Sequence, residues 1–393
     1  MSAATAEQVR GSRPPLWRDV RVLRLVFQVV VVGAVVGLVL WLYGNLTTNL
    51  SRQNIRTDFG YLDQSAGFAI ADSDFRSSQP VWRALVVGIK NTAIVAVVGI
   101  VLASILGILV GVARLSSNWL VRRAASFYVE AIRNIPVVVI ILFIFLAVIL
   151  KLPRLTEASE WLGASVISNN GVWFPSLASP QGAGSFPLLV LVALIAAVVV
   201  VWWRTSLFDR TGTPHHRVLW GVGVFAGIVA VSYVATGGPV ELSLPSREGR
   251  VVVGGIKMPP GFTALLAGLV IYTASHIAEI VRGSILAVPK GQTEAGRAVG
   301  LTEFQRYRFV VLPQALRIMI PPLANQYLNL TKNSSLAVFV AFPEVTRLTD
   351  IIISQGGPAP QGILLLMGIY LVFSFTIAAI TNLINRRLQL VTR

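Results

Sequence analysis

The sequence contains no cysteine, and only 13% of its 393 residues are charged. The first absence excludes disulfides, thiolate nucleophiles and cysteine-ligated zinc or iron–sulfur centres. The second excludes an ordinary soluble domain, in which about 25% of residues carry charge. Acids are the scarcer sign, 17 against 33 Lys and Arg, and the three histidines, His215, His216 and His276, have no metal-binding spacing. No Gly-Lys dipeptide occurs, so the chain has no GxxxxGK[ST] phosphate loop and no ATP site of that kind. What is abundant is hydrocarbon. With 54% hydrophobic residues and a mean hydropathy of +0.72, the composition is that of a membrane protein.

A helix needs about 20 mostly apolar residues to cross a bilayer. Eight stretches meet or approach that, near 25–43, 92–112, 135–150, 187–203, 218–235, 263–281, 318–341 and 362–384. The expected fold is therefore all-α, a polytopic membrane protein with about eight transmembrane helices. Arg10, Arg13, Arg18, Arg21 and Arg24 precede the first stretch and no small-residue cleavage site follows Tyr43, which predicts a retained signal anchor. With both termini cytoplasmic, most of the net charge of +16 falls on inner segments, as Lys and Arg do in membrane proteins. The basicity thus reports topology and not a nucleic-acid partner.

The resulting division is a cytoplasmic tail 1–24, an anchor helix 25–43, an outer loop 44–86, a transmembrane domain 87–387 and a cytoplasmic C-terminus 388–393. Two stretches look like additions to a smaller core. The polar outer loop holds Asp58, Asp63, Asp72 and Asp74 beside aromatics. Residues 151–261 contain spans four and five as an out-in-out hairpin, and removing it leaves the topology of the rest unchanged. Gly33 with Gly37, Gly107 with Gly111, and Gly223 with Gly227 have the spacing of close helix crossings.

The inner loop 282–317 has a design of its own. A helical stretch over Gln292–Val299 ends at Gly300, a residue free to take the left-handed helix-terminating conformation. Thr302 and Gln305 form a capping box that opens a second short helix, and Pro313 interrupts or kinks the chain beyond it. Ala295, Gly296 and Ala298 let a backbone approach, and Phe304 and Tyr307 offer apolar area. On shape alone the loop is either a docking surface for a protein or an interfacial helix lying on membrane lipid.

Glu294-Ala295-Gly296, then Gly300, then Val310-Val311-Leu312-Pro313 resembles the EAA loop of bacterial ABC importer permeases, with Gly296 for the second Ala and Val310 for Ile. The run Ala287-Val288-Pro289-Lys290-Gly291-Gln292, with Asn91-Thr92, Arg133-Asn134-Ile135-Pro136 and Asn329 to Leu336, is similar to the polar amino acid permeases of that superfamily. Phe59 to Asp63 with Ala66-Gly67-Phe68 looks like the first permease of general L-amino acid transporters. The resemblance implies a type I importer core built from spans two, three, six, seven and eight. It also implies a second, similar permease beside this one, two ATP-hydrolysing subunits, and a periplasmic amino acid binding protein, at the bacterial inner membrane. ATP and Mg then belong to the partner ATPase, with no cofactor and no catalytic residue on this chain. Glu294, Ala295, Gly296, Gly300, Leu312 and Pro313 become the ATPase-coupling surface.

Span seven speaks through its residues alone. Pro321 and Pro322 are expected to break it, and Asn325, Asn329 and Asn333 recur on one helix face with Lys332 beside the last. Polar groups at membrane depth either line a translocation path or tie helices together. Lys332 either attracts a substrate carboxylate or pairs with a helix-end carbonyl or Glu344. Glu279, near Arg282 and Arg133, is expected to form a gate or helix clamp. The rival readings, a secondary transporter or channel and a membrane-embedded enzyme, find neither an intramembrane acid relay nor a convergent catalytic constellation.

Overall fold

The computed structural model describes residues 19–52, 58–158, 160–161, 164–178, 185–211, 216–238 and 240–388. The arginines of the tail at positions 10, 13 and 18, His215 and the C-terminus from residue 389 lie outside the described residues. Helix α1 is Val20–Arg52 and so takes in residues 44–52, expected as loop. No proline or turn-forming pair stops it there, and Thr47 returns its hydroxyl to the Tyr43 carbonyl at 3.1 Å within the same helix. Helix α2 is Val81–Ala113, beginning directly after Pro80 and well before residue 92.

The third expected span, near 135–150, is α4 Val137–Phe143 continuing through π and 3-10 turns to Lys151, and it is preceded by a helix that was not expected, α3 Trp119–Arg133. The two meet at 103° across Asn134–Pro136, where the proline ring drives the preceding residue out of helical conformation. The hairpin is α5 Phe186–Thr211 and α6 Arg217–Ala235. The chain then forms α7 Pro260–Leu286, the short α8 Lys290–Ala298 and α9 Glu303–Arg306, α10 Leu312–Asn333, α11 Val345–Ser354 and α12 Ala359–Leu388.

Among the described residues, six helices are long and apolar enough to cross a membrane, or seven if the bent pair counts as one. The helix expected as span seven, α10, is not among them. Its prolines, amides and cations lower its apolarity. Pro321 and Pro322 do not break it: α10 runs through both. Each proline forfeits one hydrogen bond to a carbonyl four residues back, a loss that a helix packed among neighbours tolerates.

The all-helical expectation also missed strands in the stretches flanking the hairpin. Strands β1 Glu160–Trp161, β2 Ser165–Ser168, β3 Gly171–Phe174 and β8 Ile256–Met258 form one antiparallel sheet with Val172 opposite Met258. Strand β4 Ser176–Ala178 pairs with β5 Glu241–Ser243, and β6 Ser246–Glu248 with β7 Val251–Val253. The β4–β5 pair closes the base of the α5–α6 hairpin, with Ala178 opposite Glu241.

The core lies around α7. Leu265, Leu269, Ile277 and Val281 of α7 pack with Val95 of α2, Ile141 of α4 and Leu330 of α10. Helix α2 runs alongside α7 so closely that a Cβ on Gly107 would lie 2.6 Å from Ile277 Cβ, and one on Gly111 2.8 Å from Val281 Cβ. This glycine pair is a true close crossing, whereas Gly33, Gly37, Gly223 and Gly227 have nothing within 4 Å. The outer loop is no free loop either. Tyr61, Ala66, Ile70 and Phe75 pack on Val81, Ala84 and Leu85 of α2 and on Leu348 and Ile352 of α11, leaving the four aspartates exposed. Burial holds the Tyr61 phenol above its ordinary pKa.

Candidate coupling and translocation site

The loop after α7 folds as its residue types dictate. Helix α8 ends in a Schellman motif: Gly300 N–H donates to Arg297 O at 3.0 Å and Leu301 N–H to Gly296 O at 3.1 Å. Gly300 has φ +79°, a conformation that strains any residue carrying a Cβ. Thr302 and Gln305 form the expected capping box, at 3.3 and 2.9 Å. Beyond α9 the chain passes through a π-helical turn, Tyr307–Val311, straight into α10, with Pro313 in the first turn. Pro313 therefore starts a helix where an interruption was expected, because a first-turn position needs no N–H.

Glu294, Ala295, Gly300, Leu312 and Pro313 are exposed on this corner, but Gly296 is buried inside it. A Cβ at Gly296 would lie 3.3 Å from Arg306 Cγ, so the glycine makes room for the Arg306 stem. Arg306 is itself buried and paired with Glu303 at 3.2 Å. Gly296 thus shapes the corner and offers no surface to a partner. The apolar groups that project are Val299, 75% exposed, and Phe304, 71% exposed. Phe304 was visible in the sequence; Val299 was hidden among the residues assigned to helix ending.

Along α10, Asn325, Asn329 and Lys332 are exposed and Asn333 is half-buried. None of these side chains hydrogen-bonds to another described residue, so among the described residues they tie no helices together. Lys332 does not meet Glu344. That carboxylate is fully buried and caps α11 by accepting from Arg347 N–H at 2.9 Å. It also accepts from the Tyr370 hydroxyl at 3.0 Å and the Thr92 hydroxyl at 3.3 Å. Burial pushes its pKa up, against the backbone N–H groups of Thr346 and Arg347, which favour the charged form. Asn91 Nδ2 donates to Pro343 O at 2.8 Å, and Val345 N–H to Thr92 Oγ1 at 3.2 Å. The Asn91-Thr92 pair noted in the sequence is the α2 half of this junction.

Glu279 gathers three arginines at the coupling-loop end of α7. It is bonded to Arg114 and to Arg282, the latter at 2.6 Å, and lies 3.8 Å from Arg133. Arg282 and Arg133 were expected; Arg114, the most buried of the three, was not. The clamp joins the ends of α2, α3 and α7. Its sequence signal was the position of Arg114 directly after α2, where a basic residue reads equally well as a topology marker.

Residues 185–390 match the family described as "Binding-protein-dependent transport system inner membrane component". The chain belongs to that family. The match takes in α5 to α12, and with them the corner, the α10 amide face and Glu344. The general L-amino acid transport system permease protein AapQ of Rhizobium johnstonii is 38% identical over 95% of this chain and 94% of its own length. The putative amino-acid ABC transporter permease protein YhdX of Escherichia coli is 37% identical over 93% and 94%. The glutamate/glutamine/aspartate/asparagine transport system permease protein BztB of Rhodobacter capsulatus is 36% identical over 95% and 96%. Family and apolar helices together make this a multi-pass membrane protein that serves as the membrane component of a transport system.

Proposed function

We propose that the chain is one of two permease subunits of an ATP-driven importer that moves polar L-amino acids across a bacterial inner membrane. The relatives matched almost end to end are named as amino acid permeases, which supports the substrate class. The observation that carries the reading is the polar face of α10, where amides and a lysine are exposed with no hydrogen-bond partner among the described residues. At membrane depth such a face needs water or a second polar surface against it. A similar permease packed there closes a path whose Asn325, Asn329 and Lys332 meet the substrate, Lys332 by its carboxylate.

On this reading the corner of α8 and α9 faces the cytoplasm with both termini. Glu294, Ala295, Gly300, Val299 and Phe304 seat in an ATPase subunit that holds ATP and Mg, while a binding protein delivers substrate to the opposite face. Glu279 with its arginines clamps the inner ends of α2, α3 and α7, so that movement of the corner reaches the bundle.

Affinity purification of the tagged chain from its host tests this. The wild type should bring down an ATPase and a second permease, and Gly300→Asp should lose the ATPase while keeping the permease. Absence of any ATPase from both samples, or uptake that survives ATP depletion, overturns the reading. In proteoliposomes Lys332→Met should reduce uptake with assembly intact; unchanged uptake removes Lys332 from the path.

A further inference from the structure

A groove of about 880 Å³ runs up from the coupling corner between α2, α3, α7 and the start of α10. Its floor and walls are Leu109, Val112, Val121, Ile285 and Leu312, with Phe304 and Tyr307 closing the corner end. Leu109 and Val112 belong to the last turn and a half of α2 and are exposed, so the groove reaches about 6 Å inside the helix end at 1.5 Å per residue. One end lies on the side of α2, a helix apolar enough to cross a membrane, and the other at the coupling corner.

The surface end is cationic. Arg308 lines the groove, its guanidinium 5.6 Å from the Phe309 ring. Arg122 reaches the same rim, donating from Nη1 to the carbonyl of Ser116, itself a lining residue, at 2.6 Å. Neither arginine has a carboxylate within ion-pair distance among the described residues, and no acid lines the groove. Two uncompensated guanidinium groups above an apolar slot complement one chemistry, a phosphate on a pair of hydrocarbon chains.

We infer that this groove is a binding site for an anionic phospholipid, its acyl chains against Leu109, Val112 and Ile285 and its phosphate between Arg308 and Arg122. The occupant is lipid because the apolar walls come from α2 and α7, both apolar enough to cross a membrane, while the cations at the rim have no carboxylate beside them. Phe304 and Tyr307 form one end of the slot, so the lipid sits under the corner proposed to engage the ATPase. This goes beyond the transport reading, and lipid retention is measured without it.

The intact complex is released into detergent, and phosphatidylglycerol or phosphatidylcholine is titrated in while native mass spectrometry reads the lipid carried by this subunit. Phosphatidylglycerol should be retained and phosphatidylcholine lost. Because each basic residue near the headgroup contributes about fivefold, Arg308→Gln with Arg122→Gln should lower retention by about 25-fold. Ile285→Trp, which fills the slot and leaves the charge, should also release the lipid, while Arg123→Gln, outside the groove, should not. Equal retention of the two lipids, or phosphatidylglycerol retention unchanged in both the arginine and the tryptophan variants, overturns the assignment. So does a disulfide from Leu109→Cys to a cysteine on the ATPase, which makes the groove a protein interface. Absence of an ATPase overturns the transport reading and leaves the lipid result standing.

Discussion

Helices α7 and α5 are both apolar enough to cross a membrane, yet two-thirds of the most apolar window of α7 is buried in the protein and only 11% of that of α5. Hydropathy does not explain the difference, since the buried α7 is the less apolar of the two. The difference lies in what small residues meet. On α2, Gly107 and Gly111 press against Ile277 and Val281, and Ala274 and Ala278 of α7 are fully buried. Close approach there replaces the hydrophobic drive that lipid cannot supply between helices. On α6 only Gly221 is in such contact, against Val201 of α5, while Gly223 and Gly227 face open space. The core is a multi-helix assembly, and the hairpin is a pair packed on itself.

The sharpest break of that comparison is a side chain at each kind of glycine. Gly111→Leu drives its Cβ to 2.8 Å from both the Ala278 carbonyl and Val281. Overpacking of this sort costs about 1–3 kcal/mol and more where backbone must move. Little folded protein should survive detergent extraction on size-exclusion chromatography. Gly227→Leu should elute and melt as the wild type does. Equal loss from both variants would mean that α6 too is held against something closely packed.

Next in size is the clamp at the end of the same α2–α7 contact. Glu279→Gln leaves Arg114, which is largely buried, without its counter-charge, at a cost of about 1–3 kcal/mol. Glu294→Gln, on the exposed corner, should leave the melting temperature unchanged. A Glu279→Gln variant as stable as wild type would reduce the three-arginine cluster to a surface ornament of the helix ends.

A smaller and pH-dependent effect belongs to Glu344, which joins α2, α11 and α12. Its pKa is raised in the folded state, so the contribution of the neutral acid is fully present below the ordinary carboxyl range. It is lost as pH rises through the higher folded value. Glu344→Gln, permanently neutral, should therefore flatten the acid-side rise in melting temperature and be at least as stable as wild type above that range. A parallel pH profile in the two proteins would count against the carboxyl as its source.

The sequence revealed some of this and hid the rest for definite reasons. The turn at the corner was legible, because a Schellman glycine followed by a capping box is local chemistry, whereas the burial of Gly296 against Arg306 and the helix start at Pro313 were not. The amide face of α10 was legible from its four-residue spacing, although the prolines suggested a break that packing in a bundle overrides. Arg114 and Glu344 were not legible. Each finds its partners over long sequence distances, Glu279 for one and Thr92 for the other, which no local pattern reports. The strands beside the hairpin were missed because each has four residues or fewer, too short for an alternation to register.

The least disruptive change should be the largest in residues. At the base of the hairpin β4 and β5 bring Ala178 opposite Glu241 in antiparallel register. Two strands so paired accept a two-residue Asn-Gly turn of the type that hairpins favour. Replacing 179–240 by that turn should leave the remaining sheet and the α2–α7 contact as they are, because α5 and α6 pack chiefly on each other and little on the core. The shortened chain should melt within about 2 °C of the full one, a shift of about 1 kcal/mol or less by the scaling for proteins of 150–250 residues. A large drop would show that the hairpin shields the core from lipid through contacts made only in the assembled transporter. Equal stability with lost uptake would instead assign the pair a role in assembly or transport that the fold itself does not require.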